Sequence, residues 1–571
     1  MMRRWNIRSS DTSGSEGASG DAATLSPILD RLLALRGIVT QEERDRFLAP
    51  DYDRDLHDPF LFSAMPYVME RLRTARVSGA TVGVFGDFDA DGITSSVLMR
   101  EGLSKLGIPV SVYIPDKHSE GHGLSAKAVD FFESEGATLI FTVDCGMMNH
   151  AEITLAKERG IDVIVIDHHH VPEVLPDAAA IINPKLPGEA YPFRELCGAG
   201  TTFKVLQAIY GTFFPEEKSQ LKWLLDVAAV GTVADVMPLV GENRVIVSYG
   251  LVVLSKTRRV GFQEMFALGR VPIREGKTPV ARDIAFHIAP RINAASRMAH
   301  ARIAHDLLVE SDAERARELA LTLESHNTDR RKVSEEISNL VREVAAGSGE
   351  RKLVFAADER FHFGVIGLVA GRIANEFRKP VIVLTKGERE SRGSLRSIPE
   401  VNIIEAIEQC ADLLERYGGH AQAAGLTVRN EHLPELERRL EAIVAERLVG
   451  TDIEPELVAD MRVSATELSL DLARGIRKLA PFGEGNPEPV FFMERMIVTE
   501  IRPVGSDGKH LKFLLTAPAG KSFDAIGFSL AGTIPDLGKG EAIDVLFQVD
   551  ENEWNGNVSL QLKLIDIRKS E

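Results

Sequence analysis

The chain has 571 residues, room for roughly three or four domains of ordinary size. Its hydrophobic residues, 44% of the total, include no uncharged apolar run of about 18, which excludes a helical membrane span; the net charge of −17 excludes a protein that coats nucleic acid with its whole surface. Three widely spaced cysteines, Cys145, Cys197 and Cys410, argue against a disulfide framework or a zinc site and for a reducing compartment, with the cytoplasm as the expected location.

In chain order, residues 1–24 carry Arg3 and Arg4 and then a Ser/Gly/Asp stretch without an apolar segment, which predicts a disordered tail rather than a signal peptide. Residues 25–303 open with helices and continue with short apolar runs, "TVGVFG", "VSVYIP", "TLIFTV", "DVIVID" and "AAIIN", that read as strands buried on both faces of a parallel sheet. The connection 304–349 is charged and periodic, without proline or glycine up to residue 346, and predicts one long helix or two in tandem spanning about 60 Å at 1.5 Å per residue. A second α/β unit over 350–450 has strands at "KLVFAA", "PVIVLT" and "GSLRS". From 455 to 571 the pattern changes to alternating strands with turn signals, a small β-barrel or sandwich with a hairpin at "NEWNGN".

The stretch "GVFGDFDADG" places Asp87, Asp89 and Asp91 at alternate positions after a strand. An EF-hand calcium loop would need a Glu at the twelfth position, where Leu98 stands, and a helix in front. The other segments point elsewhere: "TLIFTVDCG" ends in Asp144, "IDVIVIDHHH" in Asp167, His168, His169 and His170, and "WLLDVAAVGTVADVMPL" delivers Asp235. Sites in open parallel sheets form beyond the carboxyl ends of the strands. Each aspartate alone is more often a helix cap or turn former, but together they suit Mn²⁺ or Mg²⁺. Two such ions about 3.5–4 Å apart, bridged by a shared carboxylate, would serve phosphodiester hydrolysis.

These residues resemble the DHH phosphoesterase superfamily, and within it the branch that degrades single-stranded DNA from 5′ to 3′. The resemblance rests on "GDFDADG", "VDCG", "DHHH", "GTVADVMPL", "APRINAASRM", "FHFGVIGLVAGRI", "GSLRS", "YGGHAQAAG" and "LAPFGEGNPEPVF". It implies an α/β fold: a DHH-type parallel-sheet domain joined by a long helix to a smaller α/β DHH-associated domain, plus a C-terminal OB-like β-barrel that binds nucleic acid. It also implies Asp89, Asp91, Asp144, His168 and Asp235 as metal ligands, Asp144 bridging, with Asp87 an additional acid and His169 facing the scissile phosphate. Asp167 is expected to orient a neighbouring histidine. Implied DNA contacts are His122, where Tyr is common in the family, with Arg291, Asn293, Arg297, Ser394, Arg396, Gly418, Gly419 and His420. Phe361 and Phe363 also depart from the family's usual Trp and Pro.

The implied activity is a metal-dependent exonuclease of DNA repair and recombination, with single-stranded DNA, a single-strand-binding protein and a helicase as partners. Two alternatives stand beside it. A DHH phosphodiesterase acting on oligoribonucleotides or small nucleotides would have no need of the barrel, and a non-catalytic replication scaffold would have no need of mutually repelling carboxylates. Because every implied ligand lies before residue 236 and the end-binding motifs before about 425, residues 1–450 are expected to hold the whole hydrolytic machine, the barrel adding affinity.

Overall fold

The five apolar runs form a five-stranded parallel sheet in the computed structural model, which describes residues 4–8, 26–117, 119–269, 271, 278–451, 453, 456–505, 508–534, 537–554 and 556–570. The strand order is Val110–Tyr113, Thr81–Gly86, Ala137–Val143, Asp162–Ile166, Ala180–Ile182. The central strands are buried almost end to end, which is why they are apolar without alternation. After Thr81–Gly86 the chain winds first to one side and then back to the other, so the switch point lies between that strand and Ala137–Val143. Gly86 pairs with Val143 and Val143 with Ile166, which sets the following residues, Asp87, Asp144 and Asp167, side by side.

The same compact unit, residues 58–235 and 250–455, contains a second sheet. Its order is Leu414–His420, Ala423–Arg429, Glu390–Arg396, Val381–Lys386, Val354–Asp358, with only the last pair parallel. Ala423 pairs with both Arg396 and His420, so the "GSLRS" and "GGH" motifs meet at one end of this sheet. Gly419 has φ +144° and a Cβ there would sit 2.4 Å from the Ala423 carbonyl oxygen, so only glycine fits. The connection is two helices, Arg302–Val309 and Ala313–Gly347; Asp312 caps the second through the Arg315 amide at 2.8 Å. The 35 residues of the longer one span about 52 Å.

The second unit gathers residues up to 57, 236–249 and 456 onward. Its centre is a closed five-stranded barrel: Phe491–Val504, His510–Thr516, Ser522–Gly527, Asn557–Lys569 and Ala542–Trp554, with the last strand pairing back to the first. The hairpin at "NEWNGN" joins Trp554 to Asn557. Two expectations change here. The helices Pro27–Leu35 and Gln41–Leu48, assigned from sequence to the catalytic domain, bury Ile28, Leu29, Leu32, Leu33 and Phe47 in one core with Phe491, Phe513 and Phe547 of the barrel. Within the stretch read as a disordered tail, Arg4–Ile7 forms a strand parallel to Glu456–Ala459, because Trp5 has an apolar partner in Phe492 and a hydrogen-bond acceptor in Asp566. The other residues of 1–24 lie outside the described residues. Arg244, 2% exposed, fastens the three segments: it lies 3.7 Å over the Phe47 ring and donates to the carbonyls of Phe47, Leu479 and Ala480. A chain ending near residue 450 would lose this core and leave the apolar faces of those two helices uncovered.

Candidate metal centre and strand-end site

Beyond the strand Thr81–Gly86 the chain turns straight into the helix Ala90–Lys105. Asp89 caps that helix, one carboxylate oxygen accepting from the amides of Asp91 and Gly92, both at 3.0 Å. Asp91, in the first turn, is buried and accepts from the amides of Gly198 and Ala199 at 2.6 and 2.8 Å, at the start of the helix Gly198–Phe213. Asp87 accepts from Phe88 N and lies 3.1 Å from His122 Nδ1. Asp144 adopts φ +63°, a left-handed conformation aspartate tolerates better than most residues, and this turns its carboxylate into the cluster. A Cβ on Gly198 would come within 2.6 Å of the Asp144 Cβ, so glycine there makes room for it.

His168 Nε2 lies 3.2 Å from Asp144, 3.5 Å from Asp235 and 3.8 Å from Asp91. Three groups of ligand atoms lie within 4.8 Å of one another: Asp87, Asp89 and Asp144; Asp91, His168 and Asp235; and Asp144, His168 and His169. Asp144 is thus shared between the first group and His168. One Asp144 oxygen and both His168 nitrogens are buried with no hydrogen-bond partner among the described residues. Buried polar atoms left unpaired are costly, and carboxylates with a neutral imidazole are the donors a hard divalent cation takes. The residues fit such a cation.

The electrostatics agree. Burial, aided by Asp87 and Asp91, pushes Asp89 up to about 6; burial with Asp91 and Asp89 pushes Asp235 up to about 8; Asp144 is raised well above the carboxylate range for the same reasons. The two histidines are driven apart. Burial lowers His168 to about 4, keeping it neutral and able to ligate, whereas a 2.7 Å hydrogen bond to Asp167 raises His169 to about 9 and keeps it cationic. Asp167 also accepts from the amides of His168, His169 and Met147, which fixes the histidine turn.

The expected DNA contacts divide. Arg297, whose Nη1 donates to the Gly364 carbonyl at 3.2 Å, is held by burial, with Arg330 and Arg396 adding, at about 10, and is drawn the other way by Asp89. Arg396 donates to Ser394 Oγ at 3.2 Å, and Gly367 leaves space beside both. His420 is exposed on its strand, as are Gly418 and Gly419. His122 stands beside Asp87 and packs on Phe88, with its side chain still largely exposed. Two residues take other places. Arg291 is 6% exposed and paired with Glu324 at 2.6 Å, so its guanidinium is spent inside the fold rather than on a strand. Asn293 accepts from Ala90 N at 2.9 Å, holding the first residue of the catalytic helix. Sequence reasoning missed Lys117. Its ammonium lies 5.1 Å from the Phe88 ring centroid; burial and then Arg297 lower it to about 8, while Asp87 and Asp89 pull it upward. Lys117 therefore lies within electrostatic reach of Arg297 and Arg396 as well as of Asp87 and Asp89.

Three family models match: "DHH family, N-terminal domain" over residues 81–232, "DHHA1 domain" over 350–446 and "RecJ OB domain" over 459–566. The single-stranded-DNA-specific exonuclease RecJ of Bacillus subtilis is 34% identical over 100% of this chain and 71% of its own length, and that of Escherichia coli 32% identical over 95% and 96%. The chain belongs to the RecJ family. Among solved structures, RecJ of Thermus thermophilus in complex with Mn²⁺ has a TM-score of 0.80 at 30% identity, covering 100% of this chain and 80% of its own, and the RecJ complex with Mg²⁺ from the same organism scores 0.73. These RecJ complexes hold the two cations that the donor set here favours. No described helix is long and apolar enough to cross a membrane.

Proposed function

We propose that this metal-dependent, single-stranded-DNA-specific exonuclease works from the 5′ end of its substrate in DNA repair and recombination, beside a single-strand-binding protein and a helicase. The observation that carries the polarity is the adjacency, within one unit, of the acidic cluster and the cations Lys117, Arg297 and Arg396. A terminal phosphate takes two or three charge-assisted donors, and these three side chains can supply them. Arg396 and Ser394, held together, grip the terminal phosphate, and His420 extends the grip along the edge of the second sheet.

In this reading Asp89, Asp91, Asp144, His168 and Asp235 would hold two divalent cations, Mn²⁺ or Mg²⁺. The cations supply Lewis acidity that activates water and offsets charge on the phosphate. The chain's own groups do the rest. Asp91 and Asp89 are fixed by backbone amides before any ion arrives, so their carboxylates need no reorganisation. Neutral His168 offers a nitrogen lone pair. Cationic His169, held at Nδ1 by Asp167, presents Nε2–H as a donor to the scissile phosphate and then to the departing oxygen. In the barrel, Phe528 is 56% exposed with the His510 ring edge-on at 5.4 Å, a surface on which unpaired bases can stack.

The test is a single strand labelled at one end or the other, incubated with Mn²⁺, Mg²⁺ or EDTA. A 3′ label should yield a ladder shrinking from the 5′ end and a 5′ label only mononucleotide from the outset, both silent in EDTA. The opposite ladders would overturn the polarity, and cleavage of dinucleotides alone would favour the small-substrate phosphodiesterase.

A further inference from the structure

Between the long helix Ala313–Gly347 and the helix Phe363–Phe377 lies a cavity of about 480 Å³, apart from the acidic cluster and lined by arginine and serine. Arg330, Ser334 and Ser338 recur every four residues, so one stripe of the long helix supplies them; Arg331 flanks the stripe and Arg372 faces it from the other helix. Leu368 and Val369 form the apolar wall.

The bland account is a helix pair laced by surface ion pairs, but the charges do not balance. Three arginines line the cavity against one acid, Glu335, which pairs with Arg372 at 2.6 Å. Two polar atoms are also left without partners. Among the described residues the hydroxyl of Ser334, a residue 5% exposed, has no hydrogen-bond partner, and the buried Arg330 Nε has none. Arg330 Nη2 is held by Asn327 Oδ1 at 3.0 Å, which keeps that guanidinium in place. Burial, then Arg331 and Arg372, press its pKa below the ordinary value. A buried hydroxyl and a guanidinium edge left unpaired beside like charges are the makings of an anion site.

We propose that this cavity binds a phosphate group, whose oxygens accept from the guanidinium groups of Arg330, Arg331 and Arg372 and from the Ser334 hydroxyl. Guanidinium forks match phosphate geometry and the hydroxyl meets a remaining oxygen. Arg330 lies within electrostatic reach of Arg297. Two sources present the same chemistry: a phosphodiester of the bound strand, and free phosphate or a 5′-mononucleotide. The inference stands without the exonuclease reading.

The test uses the full chain in EDTA, so that turnover plays no part. Thermal unfolding is followed as inorganic phosphate replaces chloride at constant ionic strength, and binding of a 5′-hydroxyl single strand is followed by anisotropy against salt. The variants are Ser334→Ala, Arg331→Gln and, as control, Arg396→Ala; circular dichroism verifies their fold. If free phosphate is the ligand, the midpoint rises with phosphate in wild type and R396A but not in S334A or R331Q. If a strand phosphate is the ligand, the wild-type midpoint stays flat and the slope of log Kd against log salt drops by about 0.7 in R331Q, one single-strand contact. Either result supports the site. Identical phosphate response and identical salt slope in wild type, S334A and R331Q would overturn it. An inactive protein with these responses intact would fail the exonuclease reading alone.

Discussion

The parallel-sheet unit and the barrel unit are built by opposite rules. In the first, each acid of the cluster follows a strand or lies at one end of a helix, and strand register alone sets Asp87, Asp144 and Asp167 abreast. In the second, the core joins Leu32 and Leu33 to Phe491 and Phe547, and Arg244 bridges the helix that ends near Phe47 to residues around Leu479. A site assembled from strand ends can be altered without unfolding its sheet, whereas a core drawn from both ends of the chain carries stability and no chemistry.

The largest effect should come from Asp144→Asn. Asn keeps the shape and tolerates φ > 0, so the fold should persist, while turnover with Mn²⁺ should fall by at least about 10³-fold and strand binding should change little. Removing one charge from a self-repelling cluster should also leave the metal-free melting midpoint equal or higher; a lower midpoint would mean that the carboxylate supports the fold. Next is Asp167→Asn, which weakens the hydrogen bond orienting His169 without touching the proposed ligands and should cost about 10- to 100-fold in kcat. A loss as large as that of Asp144→Asn would make Asp167 a ligand.

The barrel side of the comparison is probed by Leu33→Ala. Leu33 is fully buried, so about 2–5 kcal/mol of stability should be lost, read by urea unfolding, with turnover on a short oligonucleotide unchanged while the protein stays folded. An unfolding transition unmoved by this change would deny the helix its place in the barrel core. The smallest effect concerns Lys117, whose ammonium is held near 8. Phosphate binding favours the charged form, so affinity for a 5′-phosphorylated strand in EDTA should fall above about pH 8, by no more than about tenfold per pH unit. Lys117→Arg should flatten that decline; an unchanged profile would remove Lys117 from the grip.

The contrast explains what could be read from the sequence. The sheet, the break near "GSGE", the barrel strands and the acid cluster announce themselves in contiguous motifs and periodicity. Arg291 and Asn293 sit in one motif, but their partners, Glu324 and the Ala90 amide, come from other elements, which no local pattern reveals. Lys117 lies in the loop "PDKHSEGHG", whose cationic partners Arg297 and Arg396 arrive from distant elements. The N-terminal helices read correctly as helices, yet an amphipathic stripe does not say which core it joins.

That discontinuous core has a consequence for biogenesis. The helices that bury Leu32 and Leu33 are made before the parallel-sheet unit, but the segment that covers them, which includes the helix Leu470–Arg477 and the barrel strands, begins at Met461. At roughly 5–20 residues per second, the more than 400 intervening residues take about 20–90 s to make. Throughout that interval the nascent chain carries an uncovered leucine stripe beside an unclosed Arg244 socket, while the parallel-sheet unit can already close. Helices made before the parallel-sheet unit are thus buried only after it.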